Sequence, residues 1–419
     1  MPGPFEGLRV IEFGRFIAAP YCAQLLADGG ADVIKVEPLT GDDTRRTGEV
    51  IPGEGRQFLN KNRGKRSLAV DLNVPQVAAA IQRLAANADV VVANFRPGQS
   101  ERLGLDYATL ATRNPRLVYA ENTAFGPQGP MAGKPGMDLM MVAYTGLAPI
   151  GPAGPVEFEA PIIDYMAAML LSWGVASALF HRERTGRGQR IDVSLLQASL
   201  VLQNNLMNHV NVIDDAWRDR YVSEARAALA SGADWDEIID LRASLGPHAT
   251  QRAYYGFFRT ADGVIAIAAP GTKHRTFVLN MLGLEDRWVT EPGWLPDDAR
   301  KHVREVHEAV AAKLAQGTTG HWLSQLQAAG IPASATRLRD ELLSDEQALA
   351  NGYFIQLQHE LVGDLTVVAP PVAFSDTPLH AKAASPVLGK HSRDVLREAG
   401  VSELDIDGLV AEGKVVSFD

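Results

Sequence analysis

The sequence predicts an α/β fold built on a parallel, doubly wound sheet, joined to a smaller region of different character. Three observations support this. Residues 8–122 alternate strand-like and helix-like segments. The run Asp89 to Phe95 is almost continuously apolar, as a strand buried on both faces requires. From about residue 205 the alternation gives way to a polar, acidic, helical segment.

The elements follow in order. Leu8 to Phe13 is a strand, Pro20 to Ala27 a helix and Ala31 to Glu37 a second strand. Ser67 to Leu72 is a strand with apolar residues alternating around Val70. Ala-rich Gln76 to Asn87 is a helix and Asp89 to Phe95 the buried strand. Tyr107 to Arg113 is a short helix and Leu117 to Asn122 a strand. Such alternation is joined by right-handed crossovers. A Gly/Pro-rich stretch from Thr123 to Pro155 lets backbone turn tightly or approach a ligand. Tyr165 to Arg184 is a long helix, closed by a C-cap turn at Thr185-Gly186, and Arg190 to Ser194 is a strand. Ile213 to Leu245 has the character of a linker or surface insertion. Tyr254 to Ala269 is a hairpin turning at Ala261-Asp262-Gly263. Helices continue to about Ala329. Paired strands run from Tyr353 to Val368 around Gly363-Asp364, and a polar helical tail spans Ser392 to Gly413.

A length of 419 residues exceeds one small core and predicts two domains, or one large domain with an excursion. The net charge of −10 argues against a surface that tracks nucleic acid. It leaves room for an anionic ligand held by a few local Arg and Lys. The single cysteine, Cys22, allows no intrachain disulfide and fits a reducing compartment. It lies in an apolar helical run and is expected to be a structural thiol. Met1 to Glu6 shows no basic n-region or apolar h-region, and the apolar runs look too short or interrupted to span a bilayer. The expectation is a cytoplasmic protein without a membrane partner. After the first strand stands Gly14-Arg15-Phe16-Ile17 rather than G-x-G-x-x-G, which disfavours a nicotinamide enzyme. The Walker, H-E-x-x-H and C-x-x-C patterns are missing too, so no metal site is expected.

Asp164 follows the short apolar run Ala160-Pro161-Ile162-Ile163 and opens the long helix. A carboxylate at a helix N-terminus accepts unpaired backbone N–H groups at the positive end of the dipole. Held ionised there, it is either a plain N-cap or a nucleophile toward an activated acyl group.

Several blocks together resemble a known family. They begin with Gly7-Leu8-Arg9-Val10-Ile11-Glu12-Phe13, Ala19-Pro20 and Gly30-Ala31-Asp32-Val33-Ile34-Lys35-Val36-Glu37. They continue with Asn62-Arg63-Gly64-Lys65-Arg66-Ser67, Asp71-Leu72, Asn94-Phe95-Arg96-Pro97-Gly98 and Arg102-Leu103-Gly104. Next come Gly126-Pro127, Gly129-Pro130, Pro135-Gly136-Met137-Asp138, Asp164 and Arg184-Thr185-Gly186-Arg187-Gly188-Gln189. Pro386-Val387-Leu388-Gly389-Lys390-His391 closes the series. In this order they resemble the family III CoA-transferases, which include formyl-CoA:oxalate and carnitine CoA-transferases and α-methylacyl-CoA racemase.

The resemblance implies that Asp164 attacks an acyl-CoA thioester, giving a mixed anhydride and then an aspartyl–CoA thioester. A free carboxylic acid then takes the CoA, possible donors including succinyl-CoA. It implies CoA contacts at Ala18, Lys65, Arg66, Arg96, Arg102, Met137 and Asp138, with the basic side chains meeting phosphate. Asp138 either orients the site, binds the pantetheine end of CoA or caps the turn after Gly136. No tightly bound cofactor is implied, CoA thioester being a substrate.

The implied fold is a large Rossmann-like domain, residues 1–205 and 370–419, with a smaller α+β domain at 251–335. Residues 206–250 form a linker or insertion and 336–369 a return linker with strands. The implied assembly is an interlocked homodimer.

Departures from the family separate its branches. Met137 stands where the racemase branch has a His, and a thioether cannot shuttle a proton. Ile17 stands where the formyl-CoA branch has a Gln and Pro38 where it has an Arg. That branch's glycine-run loop has no counterpart around Pro247 to Tyr255. The acids used are therefore expected to differ from oxalate. A racemase with another base, and a CoA-binding protein without turnover, remain alternatives.

Overall fold

The computed structural model describes residues 2–151, 153–246 and 253–418. Most of the 247–255 loop lies outside the described residues. The chain divides into two compact units, one of residues 1–149, 155–208 and 346–419, the other of 150–154 and 209–345.

The larger unit is built on six parallel strands. They are β1 (Arg9–Phe13), β2 (Asp32–Glu37), β3 (Arg66–Val70), β4 (Val90–Ala93), β5 (Val118–Thr123) and β6 (Arg190–Ser194). Their order is β3-β2-β1-β4-β5-β6, the doubly wound order expected of a Rossmann-like sheet. A seventh strand, Val415–Val416, just beyond the tail read as helical, pairs antiparallel to β3. Connections run outward from β1 in one direction through β2 and β3, and in the other through β4, β5 and β6. The reversal opens a crevice beyond the C-terminal ends of β1 and β4, where ligands bind in such sheets.

Period-two alternation sorts the strand residues onto two cores. Ile11, Phe13, Ile34, Val36, Val91 and Ala93 pack on α2 (Pro75–Ala86) and on the C-terminal residues Val395, Leu396, Ile406 and Leu409. Val10, Val33, Val90, Val92, Val118 and Ala120 face α1 (Ala18–Asp28) and a long helix of residues 162–185. Cys22 is fully buried on that face, and burial pushes its thiol up to about 12, so it is a structural residue.

Two helices matter for the site: the short α3 (Asp138–Tyr144) and, after it, the long α4 (Ile162–Thr185). Gly186, at φ 75°, ends α4 in the left-handed conformation that glycine favours. At 24 residues α4 is long and apolar enough to cross a membrane by length and composition, unlike the expectation from the apolar runs. Its Ala167, Leu171, Val175 and Ala178 are fully buried within the protein core, as in a core helix of a globular protein.

Charged residues are buried beneath the β1–α1 turn. Glu12 on β1 accepts from Lys35 Nζ at 2.8 Å and from Lys65 Nζ at 2.7 Å. Lys35 also donates to the carbonyl of Gly14 at 2.7 Å and pairs with Asp42 at 3.0 Å. A further buried cation, Arg45, pairs with both oxygens of Glu37, donates to the carbonyl of Pro386 and stacks 3.6 Å above the Phe58 ring. Ser67 bridges Glu37 to the backbone of Gly389. The late Pro386–His391 block is thereby anchored to the start of β3.

The smaller unit carries an antiparallel sheet. Tyr255–Arg259 and Val264–Ala268 form the expected hairpin, and Ala333–Ala335 adds a third strand. Its core joins Phe258, Ile265 and Ile267 to Val278, Leu282, Val310 and Leu326 from helices. The polar segment 209–246, read as part of a linker or insertion, is helical and groups with this unit. The strands Phe354–His359 and Gly363–Val368 pair as expected and group with the larger one.

Removing Arg45 would strand two buried carboxylates, Glu37 and Glu54. Arg45→Met is expected to lower stability by about 3–5 kcal/mol, measured by urea unfolding. Adding Glu37→Gln to that variant should recover part of the loss.

Candidate active site

Beyond the ends of β1 and β4 lies a cavity of about 990 Å³ in the larger unit. That is the upper end of the usual range for a small-molecule or cofactor site. Phe13, Val36 and Val70 form part of its wall where their strands end, and Phe13 stacks on Phe95 with ring centroids 5.2 Å apart. Asn94 clamps the β1–α1 turn by accepting from the N–H of Arg15 at 2.9 Å and donating to its carbonyl at 2.8 Å.

The next residue, Phe16, has φ 65°, and no other non-glycine among the described residues has a positive φ. A bulky side chain is strained in that conformation. The fixed ends around it hold it there, and Phe16 lines the cavity. Gly14 cannot carry a side chain, since a Cβ there would come within 2.7 Å of Glu12 Oε1.

Asp164 reaches the cavity from the first turn of α4. It is not the N-cap. The helix begins at Ile162 after Pro161, and the carboxylate that accepts its free N–H groups is Asp138. Asp138 Oδ2 accepts from Ile163 N–H at 2.8 Å and from Asp164 N–H at 3.0 Å. Two residues before Asp138 the backbone packs closely, since a Cβ on Gly136 would meet Ala124 Cβ at 2.6 Å.

Nor is Asp164 held ionised in the ordinary carboxylate range. Burial, then the neighbouring Asp138 charge, push its pKa up to about 7, opposed by the Lys61 ammonium. The expectation of a readily ionised cap considered the helix terminus alone. Here the terminal N–H groups serve Asp138, and desolvation dominates at Asp164.

The basic residues divide into two groups. Arg96 and Arg102 line the cavity with exposed side chains, joined by Arg15 and Lys134, which sequence reasoning did not single out. Lys65 and Arg66 do not line it. All three protons of Lys65 are taken by Glu12, the Pro20 carbonyl and Asn62, each at 2.7 Å, and the residue is buried. Arg66 sits at the opposite, N-terminal end of β3, paired with Asp32 and Glu398. Ala18 is 1% exposed in an apolar cluster with Ala124, Ile163 and Ala167, so its side chain is a packing group. Met137 lines the cavity, whereas Asp138 acts from behind it as the cap.

Lys61 was also overlooked. In sequence it is one more charge in a polar loop, and only its burial marks it. Among the described residues no cluster of His, Cys, Asp and Glu has the arrangement of a metal site.

Residues 5–392 match CoA-transferase family III. The chain belongs to that family. It is 32% identical over 94% of its length to the succinate–glutarate CoA-transferase of Agrobacterium fabrum, covering 95% of that protein. It is 31% identical to the succinyl-CoA–L-malate CoA-transferase beta subunit of Chloroflexus aurantiacus, covering 97% of this chain and 96% of that one. Among solved structures, the Mycobacterium tuberculosis protein Rv3272 superposes with a TM-score of 0.76 at 30% identity, over 94% of this chain and 99% of the other. A CaiB/BaiF family protein from Brucella suis gives 0.73 at 28% identity, over 95% and 100%. The mixed α/β fold of this family III chain, with its parallel central sheet, is the fold of these CaiB/BaiF neighbours.

A carboxyl group with a folded pKa of about 7 binds its proton more tightly than in the unfolded chain, near 4. Stability is therefore lost as pH rises from about 4 to about 7 and is constant above. Asp164→Asn removes that loss. Its melting temperature should exceed the wild-type value at pH 8, by an amount worth about 1–3 kcal/mol, and converge with it near pH 4. Equal melting temperatures at pH 8 would mean that Asp164 is not desolvated.

Proposed function

We propose that the protein moves CoA from an acyl-CoA thioester to a free carboxylic acid, with Asp164 as the covalent relay. The observation that carries this is a desolvated carboxylate opening onto a large cavity at the switch point of the sheet, with four cations in the cavity wall. Arg15, Arg96, Arg102 and Lys134 suit the phosphates of CoA, and the exposed ones leave the phosphate-bearing end near solvent. The apolar wall suits the pantetheine arm.

In the proposed cycle an Asp164 oxygen attacks the thioester carbonyl. The C–S bond breaks, leaving an acyl–aspartyl anhydride and CoA thiolate. The thiolate attacks the Asp164 carbonyl, releases the donor acid and forms the aspartyl–CoA thioester. The acceptor carboxylate attacks that carbonyl and expels the thiolate. The thiolate then takes the acceptor acyl group and frees Asp164. Every step exchanges one activated acyl bond for another, so neither ATP nor a tightly bound cofactor is consumed. Desolvation makes Asp164 a stronger nucleophile once ionised, at the cost of a smaller ionised fraction below pH 7.

The named relatives act on succinate, glutarate and malate, so we take small dicarboxylic acids as the substrate class. α-Proton exchange is less well supported, because Met137 cannot serve as a base. We also take the protein to act as a homodimer in the cytoplasm. Trp173 and Phe180 on α4 are 72% and 65% exposed, and a second copy over them would bury this apolar surface.

With succinyl-CoA as donor, hydroxylamine trapping should place one hydroxamate on Asp164 by intact mass and peptide mapping, and none in Asp164→Ala. The rate of the donor half-reaction should rise with pH through about 7 as Asp164 ionises. No adduct from any acyl-CoA, together with deuterium exchange at the α-carbon, would move the protein to the racemase side.

A further inference from the structure

Asn122 is a buried amide without a hydrogen-bond partner. It stands near the C-terminal end of β5, is 6% exposed, and lines the same cavity as Asp164. Its Oδ1 is buried and unpaired, and its side chain makes no hydrogen bond among the described residues. The neighbouring strand offers a contrast. Ala93 on β4 is in register with Glu121 on β5, so Asn94 and Asn122 follow side by side. Asn94 uses both ends of its amide on the Arg15 backbone. Burying an amide with no partner is costly, and an apolar side chain of the same shape would avoid that cost.

Strand alternation fixes the part of the cavity that Asn122 meets. Val118 and Ala120 face α1 and α4. Asn122 continues that side, and Ala124 beyond it joins the cluster of Ile163 and Ala167 in the first turns of α4. Asp164 follows Ile163 and lines the cavity. The wall at Phe13, Phe95 and Leu103 belongs instead to the α2 side, and Arg96 and Arg102 adjoin the last two of these in the chain. Asn122 is therefore on the Asp164 side of the cavity, away from the Arg96 and Arg102 segments.

We propose that Asn122 hydrogen-bonds the pantetheine amide nearest the sulfur of an acyl-CoA, holding the thioester carbon at Asp164. This rests on the aspartyl reading given above. That amide is two methylene groups from the sulfur, so it lies close to Asp164 whenever the thioester carbon does. The oxygen and nitrogen of an asparagine amide exchange places by a half-turn of the last side-chain bond. Such a group suits a ligand that carries both a donor and an acceptor, as a secondary amide does. An amide without a partner lowers the stability of the free protein, and the ligand amide supplies the partner. The competing partner is a hydroxyl on the acyl group, which only hydroxy acids carry.

The donor half-reaction is followed by hydroxylamine trapping with three thioesters. They are succinyl-CoA, malyl-CoA and the succinyl thioester of a CoA analogue in which that amide is replaced by two methylene groups. Wild type should react with succinyl-CoA on the order of 10-fold faster in kcat/KM than with the analogue. Asn122→Leu, of nearly the same shape, should lose that preference by slowing with succinyl-CoA and not with the analogue. Its melting temperature without ligand should equal or exceed the wild-type value. If leucine does not fit, Asn122→Ala takes its place in the kinetic comparison. A lower melting temperature with an unchanged preference makes the amide structural and overturns the assignment. An unchanged preference overturns it in any case, whether both rates fall together or neither does. A loss confined to malyl-CoA gives the amide to an acyl hydroxyl and overturns it as well. So does a wild type without the preference, which leaves the aspartyl mechanism standing. A wild type that traps nothing with any of the three overturns both.

Discussion

The site depends on one buried ionic arrangement, the Glu12 carboxylate held between Lys35 and Lys65. Both its oxygens are used, and each ammonium also grips backbone, at Gly14 and at Pro20. Those two carbonyls bracket the turn from β1 into α1. The pairs therefore fix the turn from below while Asn94 fixes it from the side. Ionic groups in a protein interior gain little net stability over apolar packing. What they contribute here is geometry: a strained Phe16 backbone is held over the crevice with no room to relax.

Asp138 and Asp164 illustrate a division of labour between two acidic residues. One carboxylate satisfies the open N–H groups of a helix and is thereby immobilised. The other, on the first turn of the same helix, is left without such donors, and only the Lys61 ammonium offsets its burial. Burial raises the proton affinity of both carboxyls, and only at Asp138 do backbone N–H donors oppose it. The cap also raises the proton affinity of its neighbour, since its own charge stands close by.

Much of this was legible in the sequence. The parallel sheet followed from alternation and from the apolar run ending at Phe95, and Arg96 was placed by the rule that ligands meet strand C-termini. What escaped was set by contacts distant in sequence. Lys65 looked like a phosphate ligand because nothing local announces Glu12, 53 residues away. Asp164 looked like a cap because its competitor Asp138 is 26 residues upstream. The strand Val415–Val416 is too short to carry a period. Lys61 is invisible in a string of polar residues until burial distinguishes it from Arg56 or Asn60.

The arrangement of segments also bears on biogenesis. The larger unit draws on residues at both ends of the chain, and its sheet is completed only by Val415–Val416 against β3. The smaller unit lies almost wholly within residues 209–345. During synthesis that unit can complete its core while the larger one still lacks its last strand and C-terminal helices. The exposed edge of β3 would meanwhile be available to other chains. A nascent chain stalled before residue 415 should thus be a client for chaperones, with its smaller unit already folded.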